Sequence, residues 1–257
     1  MLRRPRALLL VPLLLSLAVA ACRSDTVSVA YDPAVGDRYE YRYEIDATVT
    51  RAVDGGPEEV LAVDTELLAK QLVQARTRAG ARIRLELTRE GGAPRTAVVL
   101  VDRAGSLEGV ELVDDLDAAV FGVAGADTLV PTHLGGPPDR PLAPGDRWTV
   151  SDGPRHGTGR LVRLGVVDGA DIAVVRTEVA EDLTRSLQAG GSATRVRGTL
   201  HSGGVTAYDL DDGAIRRSRT WSRGELQAEL RPPPGVDAEP VQATIGYDVS
   251  VRVTRLR

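Results

Sequence analysis

The feature that most constrains the fold of this chain is a strand opening that occurs twice. Gly-Asp-Arg followed by an aromatic residue lies at residues 36–39 and again at 145–148, 109 positions later. Further similar segments follow in the same order, namely 72–83 with 161–172, and 100–107 with 208–215. This order predicts two diverged copies of one antiparallel β-meander unit, a first β half at residues 31–130 and a second at 145–257.

Alternating residue types predict how the strands are placed. Residues 38–46 alternate charged and apolar side chains, which puts Tyr39, Tyr41 and Tyr43 on one face of a half-buried antiparallel strand. The same alternation recurs late in the chain, at residues 225–230 and 245–254. The pattern is typical of a mainly β fold.

Turn residues divide these strands into hairpins. Residues 54–57 and Asp168-Gly169 have the Asp, Gly and Pro chemistry of tight turns. Residues 60–77 include helix-favouring side chains, but their counterpart at 161–167 is rich in Val. We therefore predict a strand at 60–77.

The two halves are joined by a segment of different character. Asp114 or Asp115 stands at an N-cap position, and the apolar residues after it are spaced three and four apart, which predicts a short helix. Five prolines in residues 131–144 predict an extended, stiff connection. Residues 181–204 are rich in Gly, Ser and Thr and predict a long loop or a strand pair with a tip near 190–192.

The N-terminus has the form of a secretory signal peptide, predicted at residues 1–21. Three arginines precede an apolar run at 7–19, which is short for a bilayer span, and two alanines follow. Cys22 is the only cysteine, so no disulfide can form within the chain. The exported domain must therefore be stabilised by its core alone.

The sequence Val19-Ala20-Ala21-Cys22 resembles a bacterial lipobox. The resemblance implies that Cys22 is diacylated and becomes the first residue after cleavage. Two acyl chains give stable membrane attachment. The expected partner is thus the membrane, through the lipid on Cys22, with the protein on the extracytoplasmic face of the cell membrane and residues 22–30 as a tether.

Charge argues against nucleic acid as a partner. Removal of residues 1–21 leaves 29 basic and 36 acidic residues, a net charge of −7. The basic residues are dispersed among acidic ones, with no long basic run. A chain of this charge is not attracted to polyanions, so we expect no nucleic-acid binding.

The sequence also lacks the patterns of a metal site, a cofactor site or a catalytic site. His133, His156 and His201 are not at ligand spacing and are interpreted as solvent-facing loop residues. No Gly-x-Ser-x-Gly motif is present. In the acidic segment 209–213, Thr220 stands where a calcium loop needs an acid, so we predict a hairpin turn there. We expect a protein that is not an enzyme.

Asp37 and Asp146 recur at the two strand openings, each directly after a glycine. An Asp at a strand entry most simply accepts a hydrogen bond from a nearby backbone amide. We therefore predict that both carboxylates stabilise turns.

Tyr39, Tyr41 and Tyr43 are the candidate ligand-binding residues, because a tyrosine combines an apolar ring with a polar rim. The alternative is that they only cover the inner face of the sheet. The body resembles uncharacterised bacterial lipoproteins and, in shape, envelope lipid carriers, in which a curved sheet with helix cover holds acyl chains. This chain has little helix to act as a lid. The expectation is a non-catalytic protein that binds a hydrophobic or amphipathic ligand; the alternative is an envelope structural or protein-interaction module.

Overall fold

The structure is a computed structural model and describes six ranges: residues 26–103, 107–112, 136–152, 154–189, 192–232 and 239–257. The regular secondary structure in these ranges is all strand, which confirms the mainly β prediction. Nowhere in them is there a helix long and apolar enough to cross a membrane. The predicted signal peptide, Cys22, the predicted helix after Asp114 and the start of the Pro-rich connection lie outside the described residues.

Eleven strands form one antiparallel sheet in the described ranges. In chain order they are β1 (Arg38–Val53), β2 (Glu59–Arg76), β3 (Gly80–Arg89), β4 (Arg95–Asp102), β5 (Leu107–Leu112), β6 (Arg147–Asp152), β7 (Arg155–Val167), β8 (Ala170–Ala189), β9 (Ser192–Asp209), β10 (Ile215–Arg231) and β11 (Val241–Arg255). Their order across the sheet is β5-β4-β3-β2-β1-β11-β10-β9-β8-β7-β6. The first and last strands therefore pair in the middle, and the sheet continues outward from them on both sides.

Two ambiguous segments are strands. Residues 60–76 fall in β2, which is bonded to β1 along most of its length and to β3 near its end, and Thr77 begins the turn after it. These ladders satisfy the backbone groups, and this outweighs the helical propensity of the segment. Residues 181–189 and 192–204 are a strand pair, the parts of β8 and β9 farthest from the turn between β9 and β10. Residues 190 and 191 of the predicted tip lie outside the described residues.

The main core lies on one side of the sheet, which we call the inner face; a small second cluster of Ile172, Val174 and Ala207 is buried on the other side. Tyr39, Tyr41, Tyr43 and Ile45 point to it from β1, and all four are at most 6% exposed. Buried neighbours from other strands continue it: Val73, Ile83, Leu85, Val99, Leu161, Val175, Val251 and Val253. A buried side chain of this size contributes roughly 1.5–3 kcal/mol, so this cluster supplies the main stabilisation.

The sheet curves at the end where β1 begins, which we call the base. The amide of Tyr31 donates to the carbonyl of Arg103, after β4, and that of Asp32 donates to Asp212, before β10. In a flat sheet five strand spacings separate β4 from β10, about 24 Å. Consecutive amides can bond carbonyls no more than about 10 Å apart, so the two strand ends must converge.

The N-terminal segment is part of this base. Val27 forms an isolated antiparallel bridge with Leu142, which is fully buried, and Val29 is 5% exposed. At Gly213 an added Cβ would lie 1.9 Å from the carbonyl oxygen of Ala30, so the segment crosses that turn in close contact. The described part of the predicted tether, residues 26–30, is therefore packed onto the fold.

The first Gly-Asp opening is a turn that joins the base to β2. Gly36 has a φ of +97°, a region that favours glycine, and its amide donates to the carbonyl of Val73. Val73 donates in return to the carbonyl of Asp37. The Asp37 carboxylate accepts from the amide of Ala34 at 2.7 Å, which confirms its predicted role in the turn.

The second opening repeats these bonds with β7. Gly145, with a φ of +100°, donates to Leu161, and Leu161 donates to Asp146. The Asp146 carboxylate accepts from the amide of Ala143 at 3.0 Å, as predicted. The two turns are therefore alike bond for bond, while the larger two-copy unit stays a prediction.

Candidate ligand-binding face

The predicted tyrosine row lies together at the base, inside the core. The ring centroids of Tyr39 and Tyr41 are 6.3 Å apart, and those of Tyr41 and Tyr43 are 6.4 Å apart. Removal from water raises the pKa of each hydroxyl well above its usual value, with nearby charges adding smaller effects. These rings fill the inner face; a direct role in ligand binding remains a prediction.

The ends of the row differ in their polar contacts. The Tyr39 hydroxyl donates to the Asp37 carboxylate at 3.3 Å, and the Arg255 guanidinium lies 4.6 Å from its ring centroid. The Tyr43 hydroxyl is buried and has no protein hydrogen-bond partner among the described residues. The polar contacts of the row are therefore at its Tyr39 end, toward the base.

The inner face continues beyond the core on the outer parts of the longer strands, β1, β2 and β8–β11. Residues directly opposite in the ladders share a face, so the register identifies its members. Twelve larger side chains, all at least partly exposed, form what we call the distal apolar face: Val49, Val53, Leu61, Val63, Leu183, Val196, Leu200, Leu226, Leu230, Val241, Ile245 and Tyr247. Leu61 is 58% exposed and Leu230 is 43% exposed.

The outer face of the same strands is charged. Ion pairs there include Arg42 with Glu66 at 3.1 Å and Arg223 with Asp248 at 3.0 Å. Trp221 also lies on the outer face, next to Gly203, whose missing Cβ leaves space for its ring. Polar groups on one face and aliphatic groups on the other make the distal part amphipathic, although both of its faces contact solvent.

Polar pairs border the distal apolar face on both sides. Arg51 and Glu59 form an ion pair of 2.7 Å at the tip of the β1–β2 hairpin, and Arg155 and Glu181 pair at 2.8 Å between β7 and β8. Nearer the base, inner-face hydroxyls on β9 and β10 pair with each other, as in Ser202 with Ser222 at 2.7 Å. A molecule on this face would therefore meet aliphatic groups at its centre and polar groups at its edges.

The most buried charged side chains form hydrogen bonds at the base. The Asp209 carboxylate accepts from Arg216 at 2.8 Å, from Arg255 at 3.3 Å and from the amide of Asp211 at 3.1 Å. Gly213 has a φ of +68° in the following turn, so the acidic segment forms the predicted hairpin. These bonds tie the β9–β10 turn to the end of β11.

The two histidines in the described ranges, His156 and His201, lie on β7 and β9. Both are exposed as expected, but they are not in loops, so the loop prediction is wrong for both. Ladder pairing places them in strands, where alternation points them to the outer face. His133 lies outside the described residues. Within the described ranges, no group of three or more His, Cys, Asp or Glu could hold a metal ion.

Comparisons with known proteins add little. No family model matches the chain, and no curated protein matches it. Among solved structures it is similar to a loop-deletion mutant of OmpT, an outer membrane protein of Vibrio cholerae. The identity is 7% and the TM-score 0.19, over 86% of this chain and 100% of the other. A likeness this weak carries no argument about fold or function.

Sequence reasoning did not find the distal apolar face. In β2 the residues Val60, Leu61, Ala62 and Val63 are all apolar, so alternation there does not identify which side chains point inward. The inner side chains are identified only by pairing with β1. The late alternation at 245–254 was the available signal, but it does not reveal which strand lies beside it.

Proposed function

We propose that this chain is a membrane-anchored, exported lipoprotein that binds a hydrophobic or amphipathic ligand along the distal apolar face, without catalysis. The observation that carries the proposal is the exposure of that face. Aliphatic side chains of six adjacent strands lie on one side of the sheet and contact water. Covering them with an apolar molecule gains roughly 25 cal/mol for each Å² removed from water.

The polar borders of the distal apolar face favour an amphipathic ligand over a purely apolar one. An acyl chain matches the aliphatic centre, while its polar end can reach the ion pairs of Arg51 with Glu59 or Arg155 with Glu181. The tyrosine row would then support the site from the core rather than form its surface. In this proposal Tyr39, Tyr41 and Tyr43 shape the inner end of the face.

The proposed lipid anchor on Cys22 would orient the protein at the membrane. Cys22 is five residues from Val27, which is bonded to Leu142, so the acylated residue would lie at most about 18 Å from the base. The distal end of β1 is about 50 Å farther along the strand. The base would therefore stand near the membrane and the distal apolar face would point away from it.

The internal repeat belongs to the same proposal. We infer that the β1–β5 and β6–β11 regions are diverged copies of one meander, joined by a short helix and a Pro-rich bridge. The identical bonding of the Gly36-Asp37 and Gly145-Asp146 turns supports this. In this view the ligand face arose where the two copies met, at the β1–β11 pair.

The alternative function is an envelope structural or protein-interaction module without a small ligand. The observation that favours it is the edge of β6, which in the described residues pairs only with β7. A free edge can accept a strand from another chain. In that case the apolar face would be covered by protein rather than lipid.

The test is a titration of the full chain with N-phenyl-1-naphthylamine, an apolar probe that fluoresces when removed from water. Leu61→Asp places a charge on the distal apolar face, and we expect it to weaken binding by about tenfold or more, since it buries a carboxylate beside the ligand. Val60→Asp is the matched control, because Val60 is 63% exposed on the outer face of the same strand. Equal probe binding by both variants would contradict the proposal.

A further inference from the structure

A second feature lies at the opposite end of the sheet, in a cleft of about 430 Å³ at the base. The N-terminal segment contributes Tyr31 and Asp32, and the turn from β2 to β3 contributes residues 76–78 and 80. Arg103, directly after β4, completes one wall. The volume lies within the range of small-molecule sites.

The cleft carries an excess of positive charge. In the part of the chain that the structure describes, Arg76, Arg78 and Arg103 line it together with a single carboxylate, that of Asp32, which pairs with Arg76. Among the described residues, no carboxylate lies within ion-pair distance of Arg78 or Arg103. The mature chain is acidic overall, but charges more than about 8 Å away are largely screened at physiological salt.

Hydrogen bonds and close packing fix the backbone segments that carry Arg78 and Arg103. The Thr77 hydroxyl accepts from the amides of Ala79 and Gly80 at 3.2 Å, which fixes the turn that carries Arg78. At Gly80 an added Cβ would lie 2.0 Å from the carbonyl oxygen of Val101, so this turn packs tightly against the end of β4. The carbonyl of Arg103 accepts a hydrogen bond from the amide of Tyr31. These contacts fix the backbone that carries Arg78 and Arg103, while the two side chains are exposed to solvent and open to a ligand.

We propose that this cleft binds the phosphate group of an anionic ligand. A planar guanidinium donates two parallel hydrogen bonds to phosphate, and Arg78 and Arg103 are available to do so. The phosphate can belong to the headgroup of a lipid or to a free phosphate. The cleft is at the base, beside Tyr31 and Asp32 of the N-terminal segment, and it does not depend on the distal apolar face.

The test is titration calorimetry on the full chain, purified in a neutral maltoside detergent without phosphate. The probes are dihexanoyl phosphatidylglycerol, neutral dihexanoylglycerol and inorganic phosphate. We expect the anionic lipid to bind more tightly than the neutral one, which has the same chains. If inorganic phosphate binds and competes with dihexanoyl phosphatidylglycerol, the phosphate group that the cleft binds is that of free phosphate. If it does not, the group is that of a lipid headgroup.

The double variant Arg78→Gln with Arg103→Gln removes both unpaired cations. It should weaken binding of the anionic probe about tenfold or more, because charge-assisted hydrogen bonds are lost. Arg84→Gln with Arg219→Gln removes the same charge from the outer face and should bind as the unmodified chain does. Binding by the double variant equal to that of this control, or no preference for either anionic probe over dihexanoylglycerol, would overturn the proposal.

Discussion

Two tyrosines in one row should respond in opposite ways to loss of a hydroxyl group. In Tyr39→Phe the lost hydroxyl donates to the Asp37 carboxylate at 3.3 Å. The contact is long and partly buried, so its loss should cost about 1 kcal/mol of unfolding free energy. In Tyr43→Phe the lost hydroxyl is buried without a protein partner. Its removal should leave stability unchanged or raise it by up to about 2 kcal/mol.

The measurement is urea unfolding of both variants, followed by circular dichroism and extrapolated linearly to water. Each change removes one oxygen from a ring that stays in place, so no cavity of side-chain size confuses the comparison. The deciding result is the sign of the change in unfolding free energy that each variant shows against the unmodified protein. A Tyr43→Phe chain that loses as much stability as Tyr39→Phe would show that the Tyr43 hydroxyl makes a hydrogen bond in the folded protein, and the description of the core would then be wrong.

Three further predictions concern the base and the core. Asp209→Asn should lower the unfolding free energy by about 3 kcal/mol, measured by urea unfolding, because Arg255 and Arg216 lose their shared buried carboxylate. All six tyrosines have raised pKa values because of burial, so stability should hold below about pH 10 and fall above it as unfolded tyrosines ionise. Alkaline titration followed by circular dichroism checks this; tyrosine ionisation near pH 10 without unfolding would contradict it. Gly213→Ala should destabilise the protein and expose the N-terminal segment to protease, since a Cβ there meets Ala30; a protease-resistant variant would refute that contact.

Local features of the fold were predictable from the sequence because they depend on neighbouring residues. The alternation at 38–46 gave a strand with its tyrosines buried, and Asp168-Gly169 forms the hairpin turn, with both residues at positive φ. The carboxylates of Asp37 and Asp146 bind backbone amides as their position suggested. Each prediction needed only a few consecutive side chains.

Long-range features were not predictable from the same patterns. Nothing near Arg38–Val53 or Val241–Arg255 indicates that these two strands pair, yet this pairing builds the middle of the sheet. The cleft at the base likewise brings Arg76 and Arg78 together with Arg103, where the amide of Tyr31 bonds the Arg103 carbonyl. Sites made by distant segments require the topology, which alternation and turn chemistry do not specify.

The central proposal is that the distal apolar face holds a hydrophobic or amphipathic ligand. The most direct measurement is native mass spectrometry of the full chain purified from membranes in mild detergent, before and after delipidation, for the unmodified protein, Leu61→Asp and Val60→Asp. We expect an added mass, beyond any from the proposed acylation of Cys22, that delipidation removes. It should be retained in Val60→Asp and reduced in Leu61→Asp. The same mass before and after delipidation, with no lipid bound on re-addition, would contradict the proposal.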